Sequence, residues 1–191
     1  MSKKTGVVDM KKVIFILLLI SLGVGVYIYK ANADVTYDTV SKHGITLEVP
    51  NYLKEEKEKD TNEYFYINKS KSFAMAINSF SNDGLSIEEY IDTADRIIAY
   101  DAINWKSLFG SSISDIDVKQ TGIEVINGIE MGYIVFTCSQ NRGKNKATLK
   151  LMNYVINLED EMVGVVLGHD INDRQKYQEV IDHVLNSITI P

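Results

Sequence analysis

Apolar residues follow three different patterns along this chain, and each predicts a different kind of element. Residues 13–29, VIFILLLISLGVGVYIY, form an apolar run without a single charge. Residues 45–49, ITLEV, alternate apolar and polar positions with the period of two of a half-buried strand, and Pro50 ends that strand. Ile87, Tyr90, Ile91, Ala94, Ile97 and Ile98 recur at helical spacing, while Glu88, Glu89, Asp92 and Asp95 face away.

Applied along the chain, these patterns give a mixed α+β order. Residues 34–41 read as a polar stalk or a first sheet edge, and the charged run LKEEKEKDTN as a solvated turn with an exposed strand edge. Residues 63–68 and 72–80 are two strands joined by a turn at 69–71. Ser86 and Glu89 form a capping box at the start of the first helix. A short strand at 113–118 precedes the strongest β signal, strands at 122–126, 129–138, 147–158 and 162–167. Asn127-Gly128 marks a tight hairpin, because both residues tolerate the positive φ of a type I′ turn. Residues 139–144 are expected to be a polar loop, Glu159 and Asp160 a turn, and 168–172 a second loop. The closing helix, 173–188, carries the stripe Tyr177, Val180, Ile181, Val184, Leu185 and Ile188, with Asn172 or Asp173 as its cap.

The apolar run sets the expected location. As a helix its seventeen residues span roughly 26 Å, and the flanking Lys11, Lys12 and Lys30 can snorkel to make up the hydrocarbon thickness of about 30 Å. Lys3, Lys4, Lys11 and Lys12 precede it and only Lys30 closely follows, so residues 1–12 are expected in the cytoplasm and the remainder outside. The run serves either as a single-pass anchor or as a signal region, with cleavage after Ala33 in the Ala-Asn-Ala sequence as the alternative. Residues 30–42 then form a linker and 43–191 one extracytoplasmic domain.

Charge and cysteine content narrow the partners. After residue 30 there are 15 Lys and Arg against 25 Asp and Glu, a net charge of −10. Such a surface repels phosphate backbones and anionic headgroups, so nucleic acid is excluded and a neutral or basic partner is favoured. Cys138 is the single cysteine, which rules out an internal disulfide and fits a small buried apolar side chain.

Several phrases carry a resemblance: GITLEVP at 44–50, LSIEEYID at 85–92, INGIEMGYIVF at 126–136, ATLKLMNYVI at 147–156 and YQEVIDHVLNSITI at 177–190. Together they resemble the PsbP-like superfamily, which includes the extrinsic subunit of photosystem II, a Ran-binding import factor and exported bacterial proteins. Leu53 stands where many members carry Trp. The resemblance implies an antiparallel sheet flanked by helices, an α/β/α sandwich, without a shared catalytic site or transferable functional residues.

The chemistry-bearing motifs are sparse. No Gly-x-Ser-x-Gly elbow, P-loop or dinucleotide fingerprint occurs, and the three histidines show no metal-ligand spacing, so neither cofactor nor metal is expected. The favoured function is a non-catalytic, membrane-anchored or secreted module that binds another envelope or extracellular protein, with Trp105 and Phe109 as candidate partner anchors. The alternative is a small-ligand binder or enzyme whose site is assembled from distant residues such as His169, Asp170, Tyr154 and Cys138.

Overall fold

The computed structural model describes residues 35–57, 63–68, 73–93, 113–142 and 145–191. The apolar run 13–29 and the pair Trp105 and Phe109 lie outside them. Among the described residues no helix is long and apolar enough to cross a membrane.

Alternating positions become antiparallel strands. β1 (Tyr37–Lys42) and β2 (Ile45–Pro50) form a hairpin, so part of the segment expected as linker is already strand. β3 (Lys54–Lys57), β4 (Glu63–Ile67) and β5 (Phe73–Ser81) are followed by helix α1 (Ile87–Asp92). β6 (Ile113–Ile126), β7 (Ile129–Arg142), β8 (Asn145–Asn157) and β9 (Glu161–Asp170) form a meander. A 3₁₀ turn, Ile171–Asp173, leads into helix α2 (Arg174–Asn186). The large sheet has the order β3-β4-β5-β9-β8-β7-β6 and is antiparallel throughout. β9 therefore lies at its centre, where both faces are covered, which accounts for the nearly continuous apolar sequence MVGVVL.

Each face of this sheet carries its own core. On one side Phe73, Met75, Ile77, Val163, Val165 and Leu167 pack with the β2 residues Ile45, Leu47 and Val49 and with Tyr177, Val180, Ile181, Val184 and Leu185 of α2; Ile188, expected on the same helix, lies beyond its end at Asn186 and is buried in the same core. Burying each such side chain favours folding by roughly 1.5–3 kcal/mol. Leu53 lies within this core. Thr189 exchanges backbone hydrogen bonds with Thr46 (2.8 and 2.9 Å), which pins the C-terminus to β2. On the opposite side Phe65, Ala74, Ala76, Ile134, Phe136, Leu149, Leu151 and Val166 pack with Tyr90 of α1. Gly132 allows this approach, since a Cβ there would stand 2.5 Å from Ile87 Cγ2 and 2.9 Å from Ile91 Cδ1.

The capping box forms as expected: Glu89 N–H donates to Ser86 Oγ (3.2 Å) and Ser86 N–H to Glu89 Oε2 (2.9 Å). Asn127 and Gly128 adopt φ of 50° and 79°, as the type I′ turn requires. Four expectations need correction. The strands expected at 113–118 and 122–126 are one strand, β6, interrupted only by register shifts. The polar loop at 139–144 is largely strand, with Gln140 opposite Ala147 and Asn141 opposite Lys146. The loop at 168–172 begins as strand, with Gly168 and His169 paired to Ala74 and Phe73 on one side and to Leu151 and Lys150 on the other. Backbone pairing with neighbours already in place extends these strands, whatever the polarity of their side chains. Finally, Asp173 precedes α2 without a side-chain cap, because the chain enters the helix through the 3₁₀ turn.

Candidate functional site

The residues proposed to assemble a site from afar do not converge. Register places His169 on the α2 side of β9, whereas Cys138 belongs to the core on the α1 side. Cys138 is buried, and burial alone pushes its thiol up to about 12, which leaves it a protonated apolar side chain at neutral pH. Tyr154 does lie on the α2 side, with its phenol pushed up to about 12, first by burial and then by the nearby carboxylates Glu124 and Asp182. Asp170 accepts hydrogen bonds from the Asn172 backbone N–H (3.1 Å) and Nδ2 (3.0 Å), which organises the turn into α2.

His169 is the most unusual of the four. Its ring is 2% exposed and lies 6.1 Å from the Tyr177 ring, and Nδ1 stands 2.8 Å from the Asp170 carbonyl oxygen. A carbonyl only accepts, so Nδ1 carries the proton and Nε2 is left as a bare acceptor without a hydrogen-bond partner. Burial, the largest influence, lowers its pKa below the usual value and keeps the ring neutral. A neutral imidazole enclosed against aromatic rings, with no nucleophile or carboxylate bonded to its free nitrogen, is a core residue.

A second histidine sits at the surface. His183 of α2 stacks on Tyr37 of β1, with ring centroids 3.8 Å apart, and its Nε2 lies 2.5 Å from Glu48 Oε2 of β2. A shallow groove beside them is lined by Glu48, Asp182, His183, Asn186 and Ser187. The Ser-His-carboxylate composition suggests nucleophilic chemistry, but the geometry refuses it. Ser187 Oγ donates to the Val184 carbonyl (2.7 Å) and accepts from Glu48 N–H (2.9 Å), so it is committed to tying the end of α2 to β2. Among the described residues no group of three His, Cys, Asp or Glu side chains is placed to hold a metal ion. A second groove, at the β8–β9 turn, is lined by Ser79, Phe80, Ser81 and 158–161, and Asn82 Nδ2 donates to the Glu159 carbonyl (3.2 Å).

What sequence reasoning missed is that β6 is an exposed edge of the sheet. Of the eight large hydrophobic side chains exposed among the described residues, Ile116, Val118, Ile123 and Val125 all lie on this one strand. Their alternation is visible in the sequence, but it predicts a buried face just as well.

The architecture has close counterparts among solved structures. Cyanobacterial PsbP (CyanoP) from Synechocystis sp. PCC 6803 superposes with a TM-score of 0.60 at 9% identity, covering 84% of this chain and 95% of that one. The fold is PsbP-like. The Ran-binding protein Mog1p of Saccharomyces cerevisiae shares it, with a TM-score of 0.51, 11% identity, and coverage of 82% of this chain and 96% of that one. No family model matches the sequence, and no curated protein matches it. At these identities the likeness to PsbP-like structures extends to the fold, and no site residue is carried across.

Proposed function

We propose that this PsbP-like chain is a non-catalytic module that binds another protein outside the membrane. Residues 13–29 hold it there in this reading, with 1–12 in the cytoplasm, the residues from 30 up to β1 as the linker, and the chain from β1 to 191 as an extracytoplasmic domain of α/β/α design. Cleavage after Ala33 would convert the same domain into a secreted one. The observation that carries the reading is the pairing of a strongly acidic chain with a long exposed strand that presents Ile116, Val118, Ile123 and Val125, a combination that favours a protein partner over an anionic polymer or lipid surface. The structural commitments of Cys138, His169 and Ser187 support it, as does the description of one protein of this fold, Mog1p, as Ran-binding. Trp105 and Phe109 remain the proposed aromatic anchors. Crosslinking in intact cells tests this: replacing both with Ala should remove the adducts while the thermal melt is retained, and unchanged adducts would retire the pair. Protease added to whole cells should reach the domain. A folded domain untouched until lysis, and cut once released, would overturn the location.

A further inference from the structure

Among the described residues β3 and β6 are the outer strands of the large sheet, so each carries a row of backbone N–H and C=O groups that no other described strand of that sheet takes up. The two edges are built differently. β3 has four residues, Lys54, Glu55, Glu56 and Lys57, all charged, and a short charged edge discourages another strand from adding. β6 has fourteen.

The first half of β6 is irregular. Register shifts fall between Ser114 and Asp117 and between Val118 and Gln120, Asp115 has φ of 52°, and its carboxylate pairs with Lys146 (2.6 Å) while Asp117 pairs with Lys119. These features bend and screen that half. From 120 to 126 the strand runs in unbroken register against β7. Thr121, Ile123 and Val125 share the α1 side, because they oppose Ile134, Gly132 and Glu130, while Gly122 and Glu124 oppose Tyr133 and Met131 on the α2 side. Ile123 is 38% and Val125 68% exposed. Glu124 and Glu130 are both exposed and make no ion pair among the described residues, whereas the carboxylates of the irregular half are neutralised by lysines.

We infer that residues 120–126 of β6 are the docking edge for an extended segment of a different protein, one that alternates apolar with basic residues and adds to the sheet as a further strand. Main-chain hydrogen bonds hold such a strand, its apolar side chains lie on the α1 side beside Ile123 and Val125, and its lysine or arginine side chains, on the α2 side, meet Glu124. An identical copy is the poorer occupant, since it brings a second chain of net charge −10 after residue 30 against the first. The inference rests on the protein-binding reading and deepens it by naming a surface and a partner chemistry.

The test uses the full chain in intact cells, with the photo-crosslinking residue p-benzoylphenylalanine placed at Val125 or, on the opposite edge, at Glu56. Val125 should give an adduct whose linked peptide maps to a run alternating apolar residues with Lys or Arg, and Glu56 should not. Ile123→Lys should reduce that adduct at least tenfold while the purified variant keeps the native melting curve. Should that variant melt abnormally, Glu124→Lys, at an exposed position on the side the basic residues would face, serves instead. An adduct from Val125 to this same chain, a linked peptide without basic residues, or an adduct indifferent to both variants would overturn the inference. Partner adducts from Trp105 or Phe109 but none from Val125 would sink it while leaving the protein-binding reading intact. No adduct from any position would remove both.

Discussion

The centre of the sheet offers a sharp test of the packing described above. A Cβ built on Gly164 would lie 2.2 Å from Asn78 Oδ1, the side chain directly across the β5–β9 pair, and 3.6 Å from Asn153 Oδ1. Asn78 is 8% exposed, and its Oδ1 has no hydrogen-bond partner. Gly164→Ala therefore forces the Asn78 amide aside within a filled core, a cost of about 1–3 kcal/mol by the usual penalty for overpacking. For a domain of this length each kcal/mol lowers Tm by roughly 2–4 °C, so the variant should melt about 2–12 °C lower. Asn78→Ala removes the obstructing atom and also a buried unsatisfied oxygen worth about 1–3 kcal/mol of desolvation. That single change should cost little, because the lost packing and the relieved oxygen oppose one another. The double variant should then recover most of the loss, with a coupling of at least about 1 kcal/mol between the two sites. Urea unfolding followed by tryptophan fluorescence and circular dichroism measures all four species. Additive losses would mean that Asn78 is not what limits the space at Gly164, and the account of this row would fall.

Other expectations follow from the same coordinates. Because burial lowers the pKa of His169 in the folded state, the unfolded chain binds its proton more readily, so stability should be full above about pH 6.5 and fall as the pH drops below it. His169→Gln should flatten that part of the profile in denaturant midpoints taken from pH 5 to 8, and an unchanged slope would place the sensitivity elsewhere. Cys138, buried and with its thiol raised to about 12, should resist a thiol reagent at pH 8 in the native state and react at once in denaturant; rapid native labelling would contradict its place in the core. Ser86→Ala should remove the capping box at a cost of about 0.5–2 kcal/mol, read as faster hydrogen exchange in α1 with β9 amides unaffected.

Legibility from sequence tracked how local the determining interaction was. The Asn127-Gly128 turn depends on the φ preferences of two adjacent residues, and the Ser86–Glu89 capping box on one helical turn, so both could be read directly. The α2 stripe was equally plain, because helical spacing alone puts Tyr177, Val180, Ile181, Val184 and Leu185 on one side. Strand lengths were not. Gln140, Asn141, Gly168 and His169 read as loop by composition, yet they are strand because partners on neighbouring strands are positioned to bond them. The long-range polar arrangements were also hidden: Glu48 and His183 are 135 residues apart in the chain, and no spacing rule connects them.

The sequence by itself determined the kinds of element, their order, the acidity of the chain and the PsbP-like resemblance, since each depends on neighbouring residues or on simple sums. Tertiary structure alone decided that β5 lies beside β9 and β6 at the edge, that His169 is a neutral core residue, and that Ser187 is a structural tie. Strand alternation states which side chains share a face, but not which face is covered or which strand is last. Those depend on the order in which distant strands pair, and that order is fixed by the joint packing of both cores on the sheet.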